Sequence, residues 1–242
     1  MQLFYNSEIS TATKQITFDK IESKHIVRVL RKSENDVLKI TNGKGLLFDA
    51  KITFASDKKC MADIIDFTEK EKPWKHYLHI AIAPTKNNDR MEWFLEKATE
   101  IGIDEITPIL CSNSERRTVK LDRFEKIIQS AMKQSLKFTL PKLNAPVKFR
   151  DFINQDFDGT LCIAHCETSD KEAKLAEKNP LKSVVTPSEK VTILIGPEGD
   201  FSSEEIKKAL AKKFLPVSLG ESRLRTETAG LVAVNIVSFI NA

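Results

Sequence analysis

Long hydrophobic runs are absent from the 242-residue sequence. The most extended, Val191–Ile195 and Leu231–Ile236, fall far short of the ~20 apolar residues that cross a bilayer as a helix. No membrane span is expected. The opening residues, Met1-Gln2-Leu3-Phe4-Tyr5-Asn6, lack a basic segment followed by an apolar one, which argues against an export signal and for a cytoplasmic protein. Cysteine is scarce. Cys60, Cys111, Cys162 and Cys166 are scattered along the chain and are expected to be free thiols rather than disulfides. Cys162, His165 and Cys166 lack the paired ligands of a structural zinc site, so buried, inert thiols and no metal are expected. Several motifs are also missing. There is no G-x-G-x-x-G and no G-x-x-x-x-G-K-[ST], which argues against a dinucleotide site and a P-loop. Neither H-E-x-x-H nor a Ser-His-Asp order supports a hydrolase.

Glycine is the most informative shortage. The chain has only eight, roughly half the usual share. Four of them, Gly196, Gly199, Gly220 and Gly230, lie in its last quarter. Glycine concentrated at strand ends suits backbone that approaches a ligand closely.

What is present describes an ordinary globular chain: 41% hydrophobic and 30% charged residues, with a net charge of +4. That mild excess permits nucleic-acid binding without demanding it. Residues 1–72 read as β-rich. Val37–Thr41, Leu46–Phe54 and Cys60–Phe67 are strand-like, Asn42-Gly43-Lys44-Gly45 is a hairpin turn signal, and Lys24–Arg31 suits a short helix. A small barrel is expected there, with the charged, proline-ended run Thr68–Pro73 as linker. Residues 73–242 alternate strand and helix. The strands are Leu78–Ala83, Ile106–Leu110, Leu161–Ala164, Val191–Ile195 and Leu215–Leu219. The helices are Arg90–Ile101, Leu121–Leu136, Ser203–Lys212 and Thr226–Ile240, with a capping box at Ser202 and Glu205 and an N-cap at Thr226. This rhythm implies an α/β domain with a mostly parallel sheet.

Two corners stand out. In the first, the strand Ile193-Leu194-Ile195 runs into Gly196-Pro197-Glu198-Gly199-Asp200. In the second, Leu219-Gly220 is followed by Leu224-Arg225-Thr226-Glu227-Thr228-Ala229 at the start of a helix. Loops after parallel strands are where α/β proteins bind ligands. The same strings also suit a plain β-turn and a capped helix with a small-residue packing face.

Taken together, these motifs resemble those of the RsmE-type 16S rRNA uracil-N3 methyltransferases of the trefoil-knotted SPOUT superfamily. Asp89-Arg90-Met91-Glu92, Glu96–Gly102, Ser114-Glu115-Arg116 and Gln134-Ser135 are similar to the family as well, and His25, Arg28 and Arg31 resemble its N-terminal PUA-like barrel. The resemblance covers nearly the whole chain. It departs at Asp200, where the family has glycine, and near Lys137, where it often has arginine.

The resemblance implies S-adenosylmethionine as cofactor, held by Ile195, Gly196, Pro197, Glu198, Gly199, Leu219, Gly220, Leu224, Arg225, Thr226 and Ala229, near the strand end at His165 and Cys166. It implies methyl transfer to a uracil N3. Arg225 would then stabilise charge on a uracil oxygen, and Glu198 or Glu227 would accept the proton. Glu227 suits a helix-dipole partner equally. The expected partner is 16S rRNA in the small ribosomal subunit, met by Arg28, Arg31, Lys32, Arg116, Arg117 and Arg123, although charged helical faces are commonly only solvated. A homodimer is implied too, with Leu231–Ile240 as a candidate contact. Two other readings stay open: an RNA-binding assembly factor without catalysis, and a relative that methylates ribose or transfer RNA.

Overall fold

The computed structural model describes residues 1–166 and 178–242. It divides into two compact units, one made of Met1–Pro73 with Met132–Leu140, the other of Trp74–Ala131 with Pro141–Ala242.

In the first unit the elements run β1 (Leu3–Tyr5), β2 (Gln15–Phe18), α1 (Lys20–Lys24), a π-helical turn (His25–Val29), β3 (Val37–Thr41), β4 (Leu46–Ala55) and β5 (Cys60–Glu69). The strands form one mixed sheet in the order β1-β3-β4-β5-β2. Only β1 and β3 are parallel; β3, β4, β5 and β2 pair antiparallel in turn. Alternation along the strands turns Phe4, Ile16, Leu38, Ile40, Phe48 and Ile52 into a common core. Each large side chain so buried is worth roughly 1.5–3 kcal/mol.

The turn between β3 and β4 holds Gly43 at φ 70°, and a Cβ there would meet Tyr5 and Leu140 at 2.9 and 3.0 Å. Phe138 seals the same turn, its carbonyl accepting from the Gly45 amide at 2.9 Å. Two readings from sequence need correction, and two strands go unread. The expected helix Lys24–Arg31 is instead a short α-helix, Lys20–Lys24, capped by Asp19, that widens into the π turn His25–Val29. Strands β1 and β2 had no clear signal. The linker is shorter than Thr68–Pro73, because β5 runs on to Glu69.

The second unit continues with β6 (Tyr77–Ile82), α2 (Asn88–Ile101), β7 (Glu105–Leu110), α3 (Leu121–Gln134), β8 (Lys142–Leu143), β9 (Val147–Lys148), α4 (Phe149–Phe152) and β10 (Thr160–Ala164). It closes with β11 (Asn179–Pro180), α5 (Leu181–Val184), β12 (Lys190–Ile195), α6 (Ser203–Ala211), β13 (Leu215–Ser218) and α7 (Thr226–Ile240). The eight strands order as β11-β13-β10-β12-β6-β7-β8, with β9 also on β7. Every described pairing is parallel.

The central strands β6 and β12 are buried along almost their whole length, as strands covered on both faces must be. Phe149, Phe152, Phe201, Ile206 and Phe214 pack against Ala81, Ile109, Ile163 and Leu194. Helix α2 turns Met91, Phe94, Leu95 and Ala98 inward at helical spacing, and Gly230 on α7 lies against Phe94 and Ile82. The capping box is present: Ser202 accepts from the Glu205 amide while Glu205 accepts from the Ser202 amide. Thr226 is not an N-cap. It is the first helical residue, buried, and the cap position falls to Arg225, whose side chain makes no capping bond.

Candidate functional site

With all strands parallel, the carboxyl ends of β10, β12 and β13 face the same way, and their loops bring the two glycine-bearing corners together. A cleft of about 260 Å³ is walled by Ile195, Gly196, Pro197 and Glu198 on one side and by Leu224, Arg225, Thr226 and Ala229 on the other. Next to it a larger cleft of about 900 Å³ takes in Leu219, Gly220 and the end of β10. The two share Ala164, Cys166, Asp200, Arg223, Leu224 and Ala229. Together they match the size of pockets that hold a nucleoside-sized ligand.

The loop after β12 is fixed by specific bonds. A Cβ at Gly196 would meet the Phe201 ring at 3.0 Å, so glycine there lets the loop fold back onto its own aromatic anchor. Glu198 turns one carboxylate oxygen onto the Lys86 amide at 2.9 Å, tying this loop to the loop after β6. Its other oxygen is buried with no hydrogen-bond partner among the described residues. Gly199 lies outside both clefts; its carbonyl, like that of Asp200, accepts from the Asn113 side-chain amide at 3.1 Å. Gly220 sits at φ 133°, and a Cβ there would meet nothing within 4 Å. Conformation, rather than crowding, asks for glycine at that strand end.

Asp200 occupies φ 62°, a conformation that aspartate tolerates better than most residues. Its carboxylate accepts from the Cys166 amide at 2.8 Å and from the Phe201 amide at 2.9 Å. The side chain thus pins the end of β10 to the loop after β12. Asp200, Asn113, Arg223 and Lys178 also frame the clefts; of these the sequence marks only Asp200, through its departure from glycine.

Arg225 is exposed at the head of α7, and Glu227, 6% exposed, follows it. One Glu227 oxygen lies 3.7 Å from Arg90 Nε, and the other has no hydrogen-bond partner among the described residues. Arg116 is half-buried and donates to the Thr85 and Lys86 carbonyls, so it braces the loop after β6. Arg117 is exposed, and Arg123 pairs with Glu92 at 2.6 Å. On the first unit, Arg28 pairs with Asp57 at 2.8 Å and Lys32 with Asp36 at 3.7 Å, while Arg31 is exposed.

All four cysteines are free, but only Cys60, Cys111 and Cys162 are buried. Burial pushes the Cys162 thiol up to about 12 and raises Cys60 and Cys111 too, which keeps these thiols protonated and unreactive. Cys166 corrects the expectation of uniformly buried thiols: it is exposed and lines both clefts. No described helix is long and apolar enough to cross a membrane.

A parallel α/β unit whose strand-end loops enclose a nucleoside-sized cleft, joined to a curled mixed sheet, defines the SPOUT class of knotted domains with a PUA-like companion. The comparisons place the chain within that class. It belongs to the family described by the RNA methyltransferase domain, whose model matches residues 71–238, and the RNA methyltransferase PUA domain matches 18–65. It is 30% identical to the ribosomal RNA small subunit methyltransferase E of Buchnera aphidicola subsp. Acyrthosiphon pisum, over 91% of this chain and 86% of that protein. A probable rRNA-methyltransferase from Porphyromonas gingivalis, solved as a crystal structure, is 41% identical with a TM-score of 0.91, covering 100% of this chain and 98% of that one. The ribosomal RNA small subunit methyltransferase E of Neisseria gonorrhoeae, solved bound to S-adenosyl methionine, is 25% identical with a TM-score of 0.83, covering 99% and 98%.

Proposed function

We propose that this protein transfers a methyl group from S-adenosylmethionine to the N3 of a uridine in the 16S rRNA of the small ribosomal subunit. The observation that carries this reading is the meeting of Ile195–Glu198 with Leu224–Ala229 around one cleft. The names of the relatives and the cofactor in the Neisseria structure support it.

The cleft suits the cofactor. Ile195, Pro197 and Leu224 offer apolar walls, Gly196 and Gly220 leave backbone open to a ring edge, and the Glu198 and Asp200 carboxylates complement a cation. When bound, S-adenosylmethionine supplies a methyl on a sulfonium that departs as a neutral thioether. The chain's own work is to hold the uracil in line with that methyl and to manage the N3 proton. Glu227, nearly buried and with an oxygen to spare, accepts this proton as the N3–H bond breaks. Arg225, exposed and beside it, offers N–H donors to the uracil carbonyl on which charge develops. Glu198, bonded to the Lys86 amide, shapes the loop.

On this reading the PUA-like unit, 1–72, and the basic residues Arg116, Arg117 and Arg123 meet RNA. The protein works in the cytoplasm, where its substrate is, as a homodimer that covers the exposed apolar end of α7, where Phe239 is 81% exposed.

The test is methyl transfer to small subunits from cells lacking this protein, with the modified base identified by mass mapping. Arg225→Ala should lower turnover by on the order of a hundredfold or more while leaving the melting transition in place, because Arg225 makes no capping bond. Near-wild-type turnover would remove Arg225 from the mechanism. No heat on titration with S-adenosylmethionine would point instead to an RNA-binding assembly factor.

A further inference from the structure

A third cavity, of about 320 Å³, lies where the start of α2 meets the head of α7, lined by Asp89, Arg90, Trp93, Arg225, Glu227 and Thr228. Arg225 belongs to it and to the smaller cofactor cleft alike. Its polar wall is unusual. Glu227 is 6% exposed, keeps one oxygen 3.7 Å from Arg90 Nε, and leaves the other without a hydrogen-bond partner among the described residues. A buried carboxylate oxygen left unmatched costs stability, and a ligand bearing an N–H would satisfy it. Trp93 adds an aromatic face. Its helix neighbours Met91, Phe94 and Leu95 are buried, whereas Trp93 is 42% exposed.

We propose that this cavity receives the target base, flipped from its stack, with Trp93 against the ring and Arg90, Glu227 and Arg225 along its pairing edge. The assignment rests on the uracil-N3 reading above and deepens it. The pairing edge of uracil presents an acceptor at O4, a donor at N3–H and an acceptor at O2. Arg90, Glu227 and Arg225 present donor, acceptor and donor, which is the complement. Cytosine would bring an amino group toward an arginine and an N3 lone pair toward the Glu227 carboxylate. Two mismatched contacts, one of them against the buried Glu227 carboxylate, discriminate against cytosine. An unpaired nucleotide offers both its face and its edge, which a base inside a duplex does not. Because Arg225 is shared, the base edge is brought beside the cofactor cleft.

The test uses the full-length protein, small subunits from cells lacking it, and the variants W93A, W93F, R90A and R90K. W93A should lower kcat/KM for the subunit roughly tenfold or more, the usual size of a lost base–aromatic stack, and W93F should recover most of the loss. R90A and R90K should both be impaired, since a lysine does not reproduce the guanidinium fork. The Kd for S-adenosylmethionine, read by calorimetry, should stay within about twofold of wild type in all four. A subunit with cytidine at the methylated position should bind the wild type more weakly, and E227Q, whose amide N–H can face the cytosine N3, should narrow that gap. Wild-type kcat/KM in W93A and R90A would overturn the proposal, as would cofactor affinity falling in step with activity. If the wild type itself methylates no uracil, the functional reading fails first and the base site falls with it.

Discussion

Asp200 shows how one side chain can offset a demanding backbone. At φ 62° a residue with a Cβ pays roughly 1–2 kcal/mol, and glycine would pay nothing. The aspartate repays this by accepting from the Cys166 and Phe201 amides, bonds that join the end of β10 to the loop after β12. Removing the carboxylate and removing the strain are therefore separable. Asp200→Gly loses both bonds but relaxes the backbone, whereas Asp200→Ala loses both and keeps the strain. In urea denaturation Asp200→Ala should be the less stable of the two by about 1 kcal/mol, and Asp200→Asn should lie nearest wild type. Both truncations should weaken cofactor binding, because the rim of the cleft is no longer tied. Equal stability of the alanine and glycine variants would show that the φ angle is not costing what its value suggests.

At the scale of elements, what the sequence revealed depended on how local the cause was. Buried strands such as Val191–Ile195 and the capped helix behind Ser202 and Glu205 were readable because period and cap chemistry lie within a few residues. The convergence of Ile195–Glu198 with Leu224–Ala229 is implied by the family resemblance; periodicity and spacing alone leave a plain β-turn and a capped helix open. The rest depends on distant partners. The attachment of Met132–Leu140 to the first unit rests on Phe138 and Leu140 meeting the turn at Gly43 and Gly45, about a hundred residues away in the chain. Nothing local to Arg116 shows that it also braces the loop after β6, through its bonds to the Thr85 and Lys86 carbonyls. Thr226 looked like a cap because its composition fits, but burial takes it into the helix. The contact of α2 with α7 was only hinted at by small residues, and it carries its own prediction. A Cβ at Gly230 would lie 2.7 Å from the Phe94 ring and 2.9 Å from Ile82, both fully buried. Gly230→Ala gains about 1 kcal/mol of helix propensity, but overpacking costs about 1–3 kcal/mol. The variant should be net destabilised and should shift the head of α7, lowering turnover as well. A variant more stable than wild type would mean that the two helices part without cost.

Across the whole molecule the parallel sheet divides its labour between its ends. The carboxyl ends carry the clefts, while the amino ends of β6 and β7 carry a polar cluster far from any methyl transfer. Glu105 accepts from Tyr77 at 2.6 Å, Asn144 at 2.6 Å and Lys142 at 2.9 Å. Burial alone would raise its carboxyl, but these bonds outweigh it and hold it down to about 2. His79 bonds Thr107 at 2.7 Å, packs on the Phe152 ring and lies 3.9 Å from Glu105. Burial lowers it to about 4, against the pull of Glu105. Both groups have folded-state values below their unfolded ones, so both stabilise the fold at neutral pH and lose that contribution as pH falls. The windows differ. His79 acts from its ordinary 6.5 down to about 4, Glu105 from 4.5 down to about 2. The His79 contribution is at most on the order of 3 kcal/mol. Unfolding free energy should therefore decline first between pH 6.5 and 4 and again below 4.5. His79→Gln, which keeps a side chain able to bond Thr107 but takes up no proton, should flatten the first decline and leave the second. Denaturant titrations at stepped pH read both, and an unchanged slope above pH 4.5 in His79→Gln would show that the proton excluded from the folded chain belongs to another group.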